Sequence, residues 1–141
     1  MFDMSYSEEQ LALRKTARDF ARAQIAPVAG RLDEEGEFPV ELLKRAWELG
    51  LMNPEVAEEQ GGLGLSCLSH CLIQEEIAWA CAGVNTSMAA NSLAALPLMI
   101  AGNKEQKEKY LRKVTAGEMI TAVGITEPGA GSDVAGIRTT A

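Results

Sequence analysis

Positive charge is in short supply. Thirteen Lys and Arg stand against twenty Asp and Glu, for a formal net charge of −7. That balance attracts neither a nucleic-acid backbone nor an anionic membrane surface. Cysteine is scarce too. There are three, an odd number, and Cys67 and Cys71 stand one helical turn apart, which argues against disulfide stapling and for a reducing compartment. The opening MFDMSYSEEQ has neither the apolar stretch of a signal peptide nor the Arg-rich, acid-poor character of a transit peptide. The expected setting is cytoplasmic in a bacterium, or the mitochondrial matrix of a eukaryote after processing. The longest nearly uncharged run, AWACAGVNTSMAANSLAALPLMIAGN, is interrupted by Gly83, Asn85, Asn91 and Pro97. It reads as a buried helix region and not as a membrane span.

What remains suffices for one domain. The 141 residues are 47% apolar and 23% charged, enough to bury a core. Helical period dominates up to about Gly117. Ser7 and Gln10 have capping-box spacing. Leu11, Leu13, Ala17, Phe20, Ala21 and Ile25 follow as an apolar face until Pro27. Pro39 opens a second helix, with Val40, Leu43, Ala46, Trp47 and Leu51 on its apolar face and Gly50 as its cap. EEQGGLGLS is a glycine loop. Ser66 can cap a third helix through Cys81, ended by Gly83. A fourth runs from about Asn85 to Ala101 and stops at Gly102-Asn103. A fifth covers KEQKEKYLRKVTAG. Beyond Gly117, EMITAVGIT is β-branched and apolar without helical period, which predicts a buried strand. VAGIRTTA looks like the start of another extended segment. The division is thus a helical domain over 1–117 and the start of a β-domain over 118–141.

The stretch ITEPGAGSD, Ile125 to Asp133, links these segments. It is not a Walker loop, because no Lys follows Lys113. It is not a dinucleotide fingerprint either, because Val134 stands where the third glycine belongs. Gly129 and Gly131 could take positive φ and turn backbone N–H groups inward as an anion nest. Thr126 and Ser132 add hydroxyls. Glu127 and Asp133 could point away and tie the loop locally. An ordinary Pro-Gly turn fits the same spacing.

Other constellations are less promising. Cys67, His70 and Cys71 share one turn, but zinc usually takes its ligands from separated segments, and no second Cys/His pair exists. No metal site is expected, and small buried packing residues account for the cysteines. Glu75 and Glu76 are adjacent on a helix and face different ways, so they are not an acid–base couple. A salt-bridged role suits them better, and Glu127, before a proline, reads as structural.

TEPGAGSDVAGI, Thr126 to Ile137, resembles the flavin-loop signature of the acyl-CoA dehydrogenases. RAWELGLMNPEVAEEQGGLGLS, EEIAWACAGV, NSLAALPLMIAGNKEQKEKYL and FPVELL resemble the same family in the same order, and its medium-chain branch in particular. The resemblance covers essentially the whole chain. It implies a mainly α fold: the N-terminal helical domain, followed by the first strand or strands of the family's β-domain. It also implies FAD, an acyl-CoA substrate oxidised to a trans-2-enoyl-CoA, an electron-transferring flavoprotein as acceptor, and a homo-oligomer, typically a tetramer.

Carried onto this sequence, the resemblance lays Val123, Gly124, Ile125, Thr126, Glu127, Pro128, Gly129, Ala130, Gly131 and Ser132 along the flavin. Thr126 would bond near the ring and Ser132 would face the CoA side. Asn85, Ala89 and Leu93, at i, i+4 and i+8 on one helix face, match positions that line the acyl channel. Asn85 stands where a Gln is expected and Ala89 where a Glu is expected, so the channel would be deeper or wider. The family's catalytic Glu belongs to a C-terminal bundle not among these 141 residues. No catalytic residue is therefore assigned, and the 141-residue chain alone is expected to be inactive. The alternatives are a non-catalytic helical module that binds acyl-CoA or a protein, and a plain assembly domain.

Overall fold

Helices form where the sequence supplies both a cap and an apolar stripe. The computed structural model describes residues 5–140. Helix α1 (Glu8–Phe20) opens on the expected capping box: Gln10 N donates to Ser7 Oγ at 3.1 Å and Ser7 N to Gln10 Oε1 at 3.0 Å. It runs into a π turn, Ala21–Ile25, just ahead of Pro27. A short helix, α2 (Ala29–Glu35), not anticipated above, closes on Gly36 in the left-handed region. Helix α3 (Val40–Glu48) is followed by Gly50 at φ 70°.

Ser66 caps α4 (Cys67–Ala80) by accepting from Ser69 N. The break before α5 (Ala82–Ala101) is the single extended residue Cys81, not Gly83 as the sequence suggested. Asn103 and Gln106 form a second capping box at the head of α6 (Lys104–Thr115).

The core lies where α4 packs between α1 and α5. Ala17, Phe20, Ala21 and Ile25 meet Ile73 and Ile77 of α4, with Leu43 and Ala46 of α3 and Val84 and Met88 of α5 in the same cluster. Each such Ile or Leu contributes about 1.5–3 kcal/mol by leaving water. Val56, Ala95 and Leu111 form a smaller cluster toward α6. Trp47 Nε1 donates to Val114 O at 2.9 Å, which ties α3 to the far end of α6.

One charge sits inside the α1–α4 contact. Glu76 is buried, and its carboxylate accepts from Arg14 Nε at 2.7 Å and from Arg18 Nε at 2.8 Å. Glu75, exposed beside it, lies 3.5 Å from Arg14. The two neighbours thus have different surroundings, and both are salt-bridged as expected.

Three expectations need correction. The buried strand over EMITAVGIT does not form. Among the described residues there is no strand, only an isolated bridge between Glu127 and Ala130. The segment is extended, but no second strand lies beside it to complete a ladder, and Val123 and Ile125 stay exposed. The cysteines are not core residues: Cys67 and Cys71 are exposed and Cys81 half-buried. The buried stripe of α4 is Ser69, Leu72, Ile73, Glu76 and Ile77, so Cys67, Cys71 and Glu75 fall on its outer face. Finally, α5 is less buried than expected. It is long and apolar enough to cross a membrane, with 28% of its most apolar window buried. It packs on the domain through Val84, Met88, Asn91, Ser92 and Ala95, and exposes Leu93, Leu96 and Ile100.

Candidate functional site: a cavity on α5 and the loop beyond it

Asn85, Ala89 and Leu93 line one cavity of about 610 Å³. The i, i+4, i+8 spacing of α5 brings them to a common face, as the sequence predicted. Glu55 from the loop before α4, with Cys67 and His70 from the first turns of α4, bounds the same space. Ser92, Leu96 and Met99 extend it along α5. Its size is that of a small-molecule site, and its wall is mostly apolar with a few polar atoms.

The polar atoms are specific. Gln74 Nε2 lies 3.0 Å from His70 Nε2. The two side chains are one helical turn apart on α4 and pair along it. His70 Nδ1 then faces Glu55 Oε2 at 3.3 Å. Cys67, His70 and Cys71 were weighed above as metal ligands, and the cysteines as packing residues. Among the described residues, no three His, Cys, Asp or Glu side chains gather around a metal position. The role of His70 is on the cavity wall, beside Glu55.

Behind the cavity runs a buried polar string. Asn53, at φ 48°, and Asn91 are both fully enclosed. Asn91 Nδ2 donates to Asn53 Oδ1 at 2.6 Å, and Asn53 Nδ2 to Ser92 Oγ at 3.4 Å. Thr121 N then donates to Asn91 Oδ1 at 2.7 Å. The chain leaving the helical domain is thereby fastened to α5. Sequence reasoning missed Asn53, Asn91, Thr121 and Glu55. The Asn-Pro dipeptide at Asn53 was the available hint, since Asn tolerates the left-handed region better than most residues.

The loop Val123 to Ser132 is a separate surface, and none of its residues lines the cavity. Ser132 therefore stands apart from Asn85, Ala89 and Leu93. Glu127 N donates to Ala130 O at 3.0 Å and Ala130 N to Glu127 O at 3.1 Å, which closes a tight turn over Pro128-Gly129. The Glu127 carboxylate accepts from the Thr139 hydroxyl, from Arg138 N at 3.0 Å and from Thr139 N at 2.7 Å. The Thr139 hydroxyl first, then the Arg138 and Thr139 amides, hold its pKa below the ordinary carboxylate range. Its carboxylate is thus engaged within the loop, a structural task.

The anion nest does not form here. Neither Gly129 nor Gly131 has positive φ. Their lack of a side chain serves a different purpose. A Cβ at Gly124, Gly129 or Gly131 would meet nothing within 4 Å, whereas one at Gly62 would lie 1.9 Å from Val56 O. Gly62 is demanded by the packing of this domain, and the loop glycines are not. Val123, Gly124, Ile125, Thr126 and Ser132 are exposed around them. The loop is therefore an open backbone surface with two outward hydroxyls.

Comparison with known proteins identifies the family. A family model described as "Acyl-CoA dehydrogenase, N-terminal domain" matches residues 7–118. A probable medium-chain specific acyl-CoA dehydrogenase of Caenorhabditis briggsae is 43% identical over 138 residues, which is 98% of this chain and 33% of that protein. The butyryl-CoA dehydrogenase structure from Megasphaera elsdenii superposes with a TM-score of 0.89 at 34% identity, covering 98% of this chain and 37% of that one. An acyl-CoA dehydrogenase of Bacillus anthracis, solved with FAD, gives 0.88 at 39% identity, covering 97% of this chain and 24% of that one. The chain thus spans about a third of the curated relative it matches. With residues 7–118 matched by the family model and the whole fold superposing on solved members, the chain belongs to the acyl-CoA dehydrogenase family and carries its N-terminal helical domain.

Proposed function

We propose that this chain supplies the acyl-side wall and part of the flavin surface of an FAD-dependent acyl-CoA dehydrogenase. The reaction is oxidation of a fatty acyl-CoA to a trans-2-enoyl-CoA, with an electron-transferring flavoprotein as acceptor and a homo-oligomer, typically a tetramer, as the working form. The observation that carries the reading is the single cavity holding Asn85, Ala89 and Leu93 together, in a chain of this family. An apolar chain entering it would replace water along Leu93, Leu96 and Met99.

The residues from Val123 to Ser132 fit a flat, hydrogen-bonding cofactor. The loop glycines leave the backbone uncovered, Thr126 and Ser132 offer hydroxyls, and the Glu127 carboxylate is taken up by Arg138 N and Thr139. FAD supplies the electron sink of the oxidation. Thr126 would orient one edge of it and Ser132 would sit toward the thioester side, each through a donor or acceptor held by the turn at Pro128-Gly129.

The general base is assigned to no residue of this chain. The pure 141-residue polypeptide should therefore produce no enoyl-CoA above background. Its binding half is testable directly. Titration of isotopically labelled chain with octanoyl-CoA should move the NMR signals of Asn85, Ala89 and Leu93. If those signals stay fixed while others move, the cavity is not the acyl site.

A further inference from the structure

Two thiols stand together on the outer face of α4. Cys67 is its first residue, Cys71 follows one turn on, and both are exposed. An i, i+4 pair on a helix has its Cβ atoms about 5–6 Å apart. The sulfurs interact. Partial desolvation first, then a hydrogen bond to Cys67 and the charge of Cys67, push the Cys71 thiol up. The turn that carries them is held at its head, where Ser66 Oγ accepts from Ser69 N and Ser66 O from His70 N at 3.1 Å. Among the described residues, no third His, Cys, Asp or Glu completes a metal position with them. His70, on the same turn, is engaged by Gln74 at 3.0 Å and faces Glu55 at 3.3 Å.

This spacing is selective. A disulfide needs Cβ atoms about 3.5–4.5 Å apart, so closing one directly would break the turn. Structural zinc takes four ligands, more than this turn supplies. A single atom bonded to both sulfurs spans the gap and leaves the helix as it is. We infer that Cys67 and Cys71 form a dithiol site for trivalent arsenicals, with arsenic bridging the two sulfurs and its third substituent directed to solvent. With hydrated phenylarsine oxide, each thiol displaces one hydroxyl from arsenic. Two As–S bonds form, two As–O bonds break, and the thiol protons leave with the oxygens as two waters. Nothing is oxidised or reduced, so the step suits the reducing compartment in which free thiols persist. The second thiol attacks within the same chain, which favours the pair over any single thiol. Cys81, half-buried beyond the end of α4, has no such partner within a turn. The site is independent of the acyl reading above.

The test adds phenylarsine oxide to the 141-residue chain in a buffer that holds a monothiol, and follows intact mass and free thiols. One arsenical should be taken up, hiding two of the three thiols, and 1,2-ethanedithiol should remove it. Cys67→Ser and Cys71→Ser should each bind about a hundredfold more weakly, while Cys81→Ser binds like wild type. If a serine variant loses its dispersed amide spectrum, the alanine variant at the same position replaces it. Amide exchange in the first turn of α4 should slow in the adduct, because the bridge clamps that turn. Equal affinity of wild type and Cys71→Ser would overturn the inference, as would loss of binding in Cys81→Ser. So would a Cys67–Cys71 disulfide formed with diamide while α4 keeps its exchange protection, since the sulfurs would then meet without a bridging atom.

Discussion

Thr121 and Asn91 hold each other through backbone and side chain at once. The Thr121 amide N and Oγ1 each lie 2.7 Å from Asn91 Oδ1, and the same hydroxyl lies 3.0 Å from the Asn91 carbonyl. Thr121 follows the helical domain by a few residues, while Asn91 sits at the middle of α5. The bond therefore fixes where the loop leading to Val123–Ser132 begins relative to the cavity. Asn91→Ala removes a donor to Asn53 and the acceptor of Thr121 inside a dry region. It should cost about 3 kcal/mol of stability, as broken buried networks do. Thr121→Val should cost only about 1 kcal/mol but should expose the 118–126 segment to limited proteolysis. Urea unfolding and a protease time course measure the two effects. Equal losses from both variants would mean that the string does not work as described.

Glu76 gives a pH dependence of known sign. Its carboxyl is held below the ordinary Glu value by the Arg18 hydrogen bond first and by Arg14 as well, against the opposing effect of burial. A depressed folded-state pKa contributes stability above the unfolded value of about 4.3. That stability fades as pH falls through the lower folded value. Glu76→Gln should cost about 2 kcal/mol near neutral pH, less than a fully enclosed pair because water reaches both arginines. The gap between wild type and variant should narrow below about pH 4. A gap that stays constant down to acid unfolding would assign the cost to packing instead.

The glycines should separate by origin. Gly62→Ala places a Cβ 1.9 Å from Val56 O and 2.5 Å from Val56 C, and backbone cannot yield there. A loss of about 3 kcal/mol or failure to fold is expected. Gly129→Ala meets open space and should change the melting temperature of this chain hardly at all, within about 0.5 kcal/mol. Any effect of Gly129→Ala should appear only when FAD is added. Thermal unfolding with and without the cofactor distinguishes these outcomes.

Glu127 should act on local order. Glu127→Ala should speed amide hydrogen exchange at Arg138 and Thr139, whose N–H groups it accepts, and leave α1–α6 unchanged. In the wild-type chain the same protection should weaken as pH falls below the ordinary carboxylate range, because its pKa is depressed in the folded state. Protection at Arg138 that survives the substitution would remove this role.

Much of the helical domain was legible because its signals are local. The capping box at Ser7, the caps at Ser66 and Gly50, and the apolar period of α1 and α3 depend on residues within a few positions of one another. The strand over EMITAVGIT failed for the opposite reason. Its β-branched residues declare an extended backbone, but a strand also needs a second strand alongside, and none pairs with it here. Helix α2 escaped because it is short and has no capping side chain. The outward cysteines escaped because composition says nothing about which stripe of α4 faces the core. For the site, the family resemblance singled out Asn85, Ala89 and Leu93, and helical spacing put them on one face. Glu55, Asn53 and Thr121 reach α4 and α5 from distant loops, which no spacing rule connects.

The fastening of Thr121 to α5 has a consequence for measuring length. Four residues of α-helix advance about 6 Å, so Asn85, Ala89 and Leu93 mark roughly 12 Å of path in two equal steps. Asn91, which anchors the loop, lies inside the same helix at a set distance from each mark. On the acyl-site proposal the helix works as a ruler, with its zero pinned by Thr121 and its graduations cut by side chains. Exchanging the residue at one graduation should reset which chain is accepted without disturbing the loop at the other end.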